Sequence, residues 1–294
     1  MLDLVHVASF LAIVEDGSFH GAARRLGLAQ PTVSQHLRKL ETHLGACLVE
    51  RGGERCRPTA QGAVLLPYAR SLVAVSRQAE NALAMRRLTV AASGNVGTYL
   101  LPPILARYEE RPERAEVVVR IGTNPDALEW LDRGEADVAL TEWWDGRPGL
   151  SAVAWRRERL VAIVPPGHPW AARGSVPAGA LRNAPLIGGE PGTGTGRVLR
   201  DAFGRLGYLP TVSRQMGTTE GVKRAVQAGL GVSLVLEAAV ADEARAGTLV
   251  ALDVDGVQLE KTLYACHREG LPASSPIMGF VRDVCGPAPL STVS

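Results

Sequence analysis

Residues 17–51 of the chain read GSFHGAARRLGLAQPTVSQHLRKLETHLGACLVER, and their apolar spacing predicts two consecutive helices. The first helix begins after Ser18, whose hydroxyl can cap the free amides, and it ends at Gly27. The second begins near Pro31, because proline fits the first turn of a helix, and it ends at Gly45. The positions predicted to be buried are Phe19, Ala22, Ala23 and Leu26 in the first helix and Val33, Leu37, Leu40 and Leu44 in the second.

A further helix is predicted before this pair, since apolar residues recur with helical spacing from Leu4 to Val14 and the pattern stops at Asp16. Two short helices joined across a glycine-containing turn are typical of a helix-turn-helix. The face of the last helix opposite Val33 carries Gln35, Arg38 and Thr42, flanked by Thr32, Ser34 and Lys39. Glutamine can bond to adenine and arginine to guanine in the major groove, so this face suits DNA recognition. A solvated helix face is the alternative interpretation.

Two short extended segments, residues 47–51 and 54–57, surround a glycine pair and predict a tight hairpin at Gly52 and Gly53. Arg51, Arg55 and Arg57 make this hairpin basic. The hairpin is therefore interpreted as a wing that contacts phosphates.

The same stretch resembles the winged helix-turn-helix signature of the LysR-type transcriptional regulators. The shared features are Gly-Ser-Phe, paired alanines, Gln-Pro, a serine four residues after the glutamine, Leu-Glu, Leu-Gly and a closing arginine. Val49 departs from the signature, because the family usually has phenylalanine there. The resemblance implies a regulator that binds double-stranded operator DNA. The residues expected to contact that DNA are Gln30, Thr32, Ser34, Gln35, Arg38, Lys39, Arg51, Arg55 and Arg57.

Downstream of Thr59, which can cap a helix, a mostly apolar stripe with spacings of four and three predicts a coiled-coil seam bent near Pro67. The stripe comprises Leu65, Ala69, Leu72, Ser76, Ala79, Leu83 and Arg86. A helix packed on its own domain is the alternative. In the family this helix pairs two subunits and places two recognition helices about one DNA turn apart, so self-association as a dimer or tetramer is expected.

Strands and helices alternate beyond residue 88, which predicts an α/β fold with parallel sheets. Strands are expected near 88–92, 116–121, 136–141, 160–164 and 232–237, and helices near 100–108, 125–133, 198–206 and 220–228. The resemblance continues here and implies a two-lobed effector domain similar to periplasmic binding proteins, with crossing segments at 160–166 and 261–267. The expected domains are a DNA-binding domain (1–58), a linker helix (59–87) and an effector domain (88–294), in which subdomain I spans about 88–162 and 267–294 and subdomain II about 163–266.

Two glycine-containing loops, residues 93–97 and 190–197, open onto helix N-termini, where free backbone amides favour an anion. The second loop resembles a Glu-Pro-Gly-Ser-Gly-Thr-Arg segment of the family, with Gly196 inserted. The expected effector is a small anion held mainly by neutral donors, and purely structural turns are the alternative. The expected effector contacts are Ser93, Asn95, Thr123, Thr141, Thr195 and Thr218. Trp143 and Trp144 are expected either at the cleft mouth or in the core.

Composition restricts the class of protein. The 294 residues are 46% apolar and 21% charged, which is typical of a globular protein and not of a disordered one. The formal charge of +2 divides into +4 for residues 1–88 and −2 for the remainder, so the N-terminal part is the electropositive one. The four cysteines form no CxxC pair, and no apolar run approaches about 20 residues, so a reducing cytoplasm without membrane association is expected.

Sequence motifs for other chemistries are missing. There is no GxGxxG, no Walker loop with its lysine and no GxSxG, so neither catalysis nor a cofactor is expected. Zinc binding by His43, Cys47 and Cys56 and redox sensing by Cys266 and Cys285 are not favoured. Family behaviour implies a homotetramer built from dimers, with RNA polymerase as a further candidate partner. The alternative function is a cytoplasmic ligand-binding protein whose basic N-terminal region serves only assembly.

Overall fold

A computed structural model describes residues 1–50, 55–84, 87–111, 114–189, 194–286 and 291–293. The chain forms two compact units, Met1–Ala84 with Asp132–Glu135 and Met85–Leu131 with Ala136–Ser294. The elements of the first unit are α1 (Leu4–Asp16), α2 (Phe19–Leu26), α3 (Gln30–Leu44), β1 (Val49–Glu50), β2 (Arg57–Pro58) and α4 (Ala60–Ala84).

The caps of α1, α2 and α3 confirm the predicted boundaries. The Ser18 hydroxyl accepts a hydrogen bond from the backbone N–H of Gly21 at 3.0 Å, and Gly27 and Gly45 end their helices at φ of 66° and 65°. A left-handed backbone of this kind favours glycine. The apolar faces meet in one core, whose fully buried members include Val7, Phe10, Ile13, Ala22, Val33 and Leu37. The prediction for Leu44 is wrong, because this last residue of α3 is 38% exposed.

Strands β1 and β2 pair antiparallel, as a wing requires, with Val49 opposite Pro58. Val49 is only 1% exposed, so the smaller residue still fills its place under the hairpin. The predicted turn at Gly52 and Gly53 and the predicted contact Arg51 lie outside the described residues.

The exposed apolar stripe of α4 differs from the predicted coiled-coil seam. Leu65 and Ala69 pack against the core of the first unit, so at these two positions the alternative interpretation holds. The large exposed apolar side chains of α4 lie instead at Val64, Tyr68, Leu72 and Val75, and Ala79 continues the same stripe. Among the described residues, only Leu72 and Ala79 belong both to the predicted seam and to this exposed stripe, because Leu65 and Ala69 face the core of the first unit. The Leu83 side chain and Arg86 lie outside what the structure describes.

The second unit alternates strands and helices, as predicted, around a π-helical segment, Val96–Leu100, and a 3₁₀ segment, Ala178–Arg182. Its strands are β3 (Arg87–Ser93), β4 (Glu116–Gly122), β5 (Val138–Thr141), β6 (Leu150–Val164), β7 (Ser175–Pro177), β8 (Leu186–Gly188), β9 (Val212–Gln215), β10 (Ser233–Leu236), β11 (Val250–Asp255), β12 (Glu260–Arg268) and β13 (Ser291–Val293). Its α-helices are α5 (Leu101–Glu109), α6 (Asn124–Asp132), α7 (Gly194–Gly204), α8 (Thr219–Gln227), α9 (Glu237–Arg245) and α10 (Pro276–Cys285).

Two long strands connect two lobes within this unit. In lobe I, β3 pairs parallel with β4 and β5, and β12 pairs antiparallel with β5 and with residues 150–159 of β6. In lobe II, the last residues of β6 pair antiparallel with β10 and β11. The predicted parallel pairing is therefore confirmed for β3, β4 and β5, but the sheet is mixed, because β12, β6, β10 and β11 pair antiparallel. Strand β6 changes its partner from β12 to β10 between Arg159 and Leu160, where the predicted crossing segment 160–166 begins.

Each lobe has its own apolar core. Phe280 of α10 packs edge-on against Tyr108 of α5, with ring centroids 5.1 Å apart, in lobe I. Phe203 of α7, which is fully buried, lies in the core of lobe II beside Leu181 and Leu234. These cores fix the strand ends from which the loops between the lobes project.

Candidate functional site

The exposed face of α3 carries most of the predicted DNA contacts. Val33, Leu37 and Leu40 fix this helix in the core, which turns the opposite side outward. The exposed residues on that side are Gln30, Gln35, Arg38 and Lys39, whereas Thr32 and Ser34 are half-buried. The structure therefore brings six predicted contacts onto one helix whose outward side is long, polar and basic.

The wing is attached to the helices by hydrogen bonds that its backbone amides donate. The Cys56 N–H donates to the Gly17 carbonyl at 2.8 Å, and the Leu48 N–H donates to Glu41 Oε1 at 2.8 Å. Arg55 and Arg57 are exposed, so two of the three predicted phosphate contacts are available on the described part of the wing. The carboxylate of Glu41 thus explains the Leu-Glu pair of the signature.

A histidine pair lies where α1 meets α3. The rings of His6 and His36 are 4.9 Å apart, and His36 Nδ1 is 2.8 Å from the buried hydroxyl of Ser9. Burial, and then the positive charges of His6 and Lys39, hold the pKa of His36 below its ordinary value. Protonation of His36 therefore opposes the packing that positions α3.

A cavity of about 590 Å³ lies between the two lobes of the second unit. Five predicted effector contacts line it, namely Ser93, Asn95, Thr123, Thr195 and Thr218. The sixth, Thr141, does not, because its fully buried hydroxyl pairs with the Cys266 thiol at 3.5 Å. Ser93 is 2% exposed, and its hydroxyl has no hydrogen-bond partner among the described residues.

Two of these residues are engaged as helix caps. The Thr123 hydroxyl donates to Asp126 Oδ2 at 2.7 Å and accepts from the Asp126 N–H, and its hydrogen bonds hold the pKa of Asp126 below the ordinary value. The Thr218 hydroxyl accepts from the Gly221 N–H at 3.0 Å at the start of α8. Thr123 therefore has no free hydroxyl hydrogen for an effector, whereas the Thr218 hydroxyl donates to no other residue that the structure describes.

A buried ion pair, which the sequence analysis missed, lies at the cavity wall. Lys261 of β12 contacts Glu142, the residue after β5, and each of the two is 5% exposed. Asn95 Nδ2 donates to the other oxygen of Glu142 at 2.9 Å, and the Thr219 hydroxyl donates to Asn95 Oδ1 at 2.7 Å. Lys261 Nζ also donates to the Thr195 hydroxyl at 3.3 Å. This network joins both lobes and a crossing strand.

A second network joins the lobes at Tyr99. Its hydroxyl donates to Glu220 Oε1 at 2.7 Å, and Lys223, itself 3% exposed, pairs with Glu220 at 2.6 Å and with Glu243 at 2.7 Å. Burial raises the pKa of Glu220, but the hydrogen bonds from Lys223 and Tyr99 outweigh it, so the pKa is lowered overall. Burial and the Glu220 carboxylate raise the pKa of Tyr99. The phenol therefore stays protonated and remains a donor.

The rarity of lysine is the feature of the sequence that marks the buried cations of these two networks. The chain has three lysines among 32 basic residues, and two of them, Lys223 and Lys261, are the buried cations at this cleft. Arginine holds the exposed positions here, for example Arg197, which lies over the ring of Trp143 at 4.6 Å. Trp143 and Trp144 pack against a core cluster and do not line the cavity.

The described residues give little support for a reactive cysteine, a metal site or a membrane-spanning helix. Burial raises the pKa of the Cys266 thiol to about 12 and that of Cys285 to about 11, which disfavours the reactive thiolate. Over the described ranges, no three histidine, cysteine or acidic side chains are grouped as a metal site would require. No helix in the described part of the chain combines the length and apolar character needed to cross a bilayer.

Two family models match the chain. Residues 4–63 match the bacterial regulatory helix-turn-helix protein of the lysR family, and residues 81–285 match the LysR substrate binding domain. The second match alone covers well over half of the chain. The family consists of transcriptional regulators rather than enzymes.

Individual relatives agree with these models. The chain is 46% identical over 196 residues to the putative HTH-type transcriptional regulator protein PtxE of Stutzerimonas stutzeri, covering 66% of this chain and 100% of the relative. It is 29% identical over 283 residues to the HTH-type regulator YeiE of Escherichia coli K12, covering 95% of each. Among solved structures, ArgP of Mycobacterium tuberculosis superposes with a TM-score of 0.72 at 26% identity, covering 98% of both chains. A full-length OxyR variant of Pseudomonas aeruginosa, at 21% identity and a TM-score of 0.73, covers 97% of this chain and 94% of its own and shows the shared fold.

A winged helix-turn-helix, a long α4 and a two-lobed α/β domain with a cavity between its lobes thus occur in one chain, and both parts match their family models. The chain belongs to the LysR family of DNA-binding transcriptional regulators with an effector-binding domain.

Proposed function

We propose that α3 reads base edges while the wing holds the DNA backbone. Gln35 and Arg38 are the base-reading residues, because they are exposed on the side of α3 that faces away from the core. Gln30, Thr32, Ser34 and Lys39 bind at the groove edge, and Arg51, Arg55 and Arg57 bind phosphates. The outward face of α3 is the observation that carries this assignment. The division into residues 1–58, 59–87 and 88–294 belongs to the same proposal.

The exposed stripe of α4 pairs two subunits in this proposal. Val64 and Tyr68 are 68% and 66% exposed, and Val75 is 50% exposed, so these side chains form an exposed apolar face on the helix. Large exposed apolar surfaces of this kind mark sites of association. Pairing along this stripe gives a dimer, and two dimers give the homotetramer. The regulator acts in the cytoplasm, where RNA polymerase is a further partner.

The effector in this proposal is a small anion in the interlobe cavity. The observation that carries it is Ser93, whose buried hydroxyl lines the cavity without a partner among the described residues. Ser93 also precedes the helical run that begins at residue 94, so free backbone amides lie beside the hydroxyl. Among the described residues, the hydroxyls of Thr195 and Thr218 have no acceptor and can donate to an effector, whereas Asn95 and Thr123 already serve other partners and act by positioning.

A thermal-shift screen of anions on the full-length protein tests the effector proposal. An anion at about 100 times its dissociation constant stabilises the domain that binds it by about 2.7 kcal/mol, which gives a measurable shift. Ser93→Ala and Thr195→Val should reduce the shift. Thr141→Val is the matched control, since Thr141 lies behind the cavity wall and bonds to Cys266. Hits that are only neutral or cationic would refute the anion.

A duplex-binding titration at several salt concentrations tests the DNA assignment. A regulator that neutralises phosphates loses affinity steeply as salt rises. A ligand-binding protein without a DNA role would show no sequence-dependent binding at any salt concentration.

A further inference from the structure

The Glu142 carboxylate occupies a place built for an anion. One of its oxygens contacts Lys261 Nζ, and the other accepts from Asn95 Nδ2 at 2.9 Å. A Cβ added to Gly194, the first residue of α7, would lie 2.8 Å from Glu142 Oε2, so the carboxylate lies directly against that helix N-terminus. A buried ammonium, an amide donor and the positive end of a helix dipole therefore surround one carboxylate.

We infer that Glu142 is a tethered internal anion, and that the effector binds by displacing its carboxylate from Lys261. This inference rests on the proposed function, in which the interlobe cavity takes an anion. It adds the identity of the subsite, the charge that the effector must carry and the way in which binding reaches both lobes.

The charge balance at Lys261 selects the class of effector. Lys261 is 5% exposed, so losing its one carboxylate partner among the described residues would leave a buried and uncompensated charge. A neutral ligand cannot replace Glu142 there, whereas a ligand with a full negative charge can. Lys261, the Thr195 hydroxyl and the Asn95 amide converge from three directions, which suits a carboxylate or a tetrahedral oxyanion.

Glu142 has room to leave, and its departure is felt in both lobes. Its side chain lines the cavity of about 590 Å³, so the displaced carboxylate can turn toward solvent in that space. Its backbone stays fixed, because the Glu142 N–H donates to Asn124 Oδ1 at 2.7 Å. When the Glu142 carboxylate leaves, Asn95 Nδ2 donates to the effector instead, while Asn95 Oδ1 accepts from Thr219 of lobe II at 2.7 Å. The bound effector is therefore connected through Asn95 to a hydrogen bond that joins the lobes.

Calorimetric titration of the full-length protein with sulfate tests the inference. Sulfate is a compact dianion whose charge does not change near neutral pH. An internal competitor that fills the subsite for more than about nine-tenths of the time weakens the apparent affinity at least tenfold. Glu142→Gln keeps the shape of the side chain and removes its charge, so it should bind sulfate at least tenfold more tightly than the natural protein. Lys261→Met should bind sulfate at least tenfold more weakly.

Glu142→Ala guards against an effect of the introduced amide, and it should change affinity in the same direction as Glu142→Gln. Circular dichroism and duplex-DNA binding at low salt show whether each variant is folded. Equal or weaker sulfate binding by folded Glu142→Gln and Glu142→Ala would overturn the inference, as would an absence of sulfate binding by both.

The sulfate titrations also distinguish failure of this inference from failure of the proposed anion effector. Should sulfate bind the natural protein, depend on Ser93 and be indifferent to Glu142, the anion effector would stand and the displacement would fall. Should anions fail to bind any variant, both would fall, while the DNA assignment would still be judged by the duplex titration.

Discussion

The contact between Gly62 of α4 and the base of the wing allows a prediction with a defined magnitude. A Cβ on Gly62 would lie 2.1 Å from the carbonyl oxygen of Leu48, which also accepts a hydrogen bond from the Thr59 N–H at 3.0 Å. Gly62→Ala must therefore move backbone against backbone by about 1 Å. Overpacking of this kind costs about 1–3 kcal/mol. The strained hydrogen bond adds about 1 kcal/mol, which the better helix propensity of alanine offsets.

The expected net loss of about 1–3 kcal/mol corresponds to a fall of about 4–24 °C in the melting temperature of a unit of this size. Differential scanning calorimetry of the full-length variant measures it. Gln61→Ala is the matched control, because Gln61 is the exposed neighbour on the same helix and its replacement should change stability by less than about 0.5 kcal/mol. Displacing Leu48 also shifts the start of β1, so affinity for all duplexes should fall alike while base preference is kept. A melting temperature of Gly62→Ala equal to that of Gln61→Ala would refute this reasoning.

Three further predictions concern the first unit. Arg38→Ala should cost about 1–3 kcal/mol of specific binding and relax preference at one base pair, whereas Arg55→Ala should weaken all sequences alike and lower the salt slope by about one, as measured by anisotropy titrations. Tyr68→Glu and Leu72→Glu should dissociate the dimer in sedimentation experiments. Leu65→Ala should lower stability and leave the oligomer intact, because Leu65 packs into its own unit. An unchanged oligomer in both charged variants would exclude the exposed α4 stripe as the dimer contact. The pKa of His36 lies below 6.5 in the folded chain, so the unfolded chain binds a proton at this histidine at a higher pH than the folded chain does. The contribution of His36 to the free energy of unfolding is therefore fully present above pH 6.5 and is lost as the pH falls through and below that value. His36→Gln should flatten the fall in melting temperature between pH 7.5 and 5.5, and a fall as steep as that of the natural protein would count against His36 as its source.

Local signals made the N-terminal unit readable from its sequence. Ser18, Gly27 and Gly45 each act within a few residues of their own positions, so their caps follow from residue type and spacing. The packing of Leu65 against its own unit does not follow from residue type and spacing, because an apolar stripe on a helix has the same pattern whether it contacts its own domain or a second subunit. Only the position of α4 against α1 decides between them.

The second unit was readable in its alternation and less so in its sheet. The strand at β9 is exposed along its whole length and lacks the apolar pattern that marks a buried strand. α10 carried readable signals that the prediction omitted, since Ser275 caps it and Pro276 occupies its first turn. The direction of β12 relative to β6 depends on pairing between residues about 110 positions apart, and no short-range pattern records it.

The cleft shows the same division between local and long-range information. Ser93, Thr195 and Thr218 line the cavity, and the sequence marked them because they stand at helix starts. Thr141 also stands at a strand end, but its side chain points to Cys266 in the core. The pair of Glu142 and Lys261 joins residues 119 positions apart, so only the fold shows that the two charges meet.

Selection from a randomised duplex library tests the central claim most directly. Full-length protein and its Arg38→Ala variant would each be used to retain fragments, which are then sequenced. We expect the natural protein to enrich one motif with two half-sites about one helical turn apart or a multiple of it, and the variant to lose preference at a matching position in each half-site. Fragments without a shared motif, or an identical motif for both proteins, would contradict it.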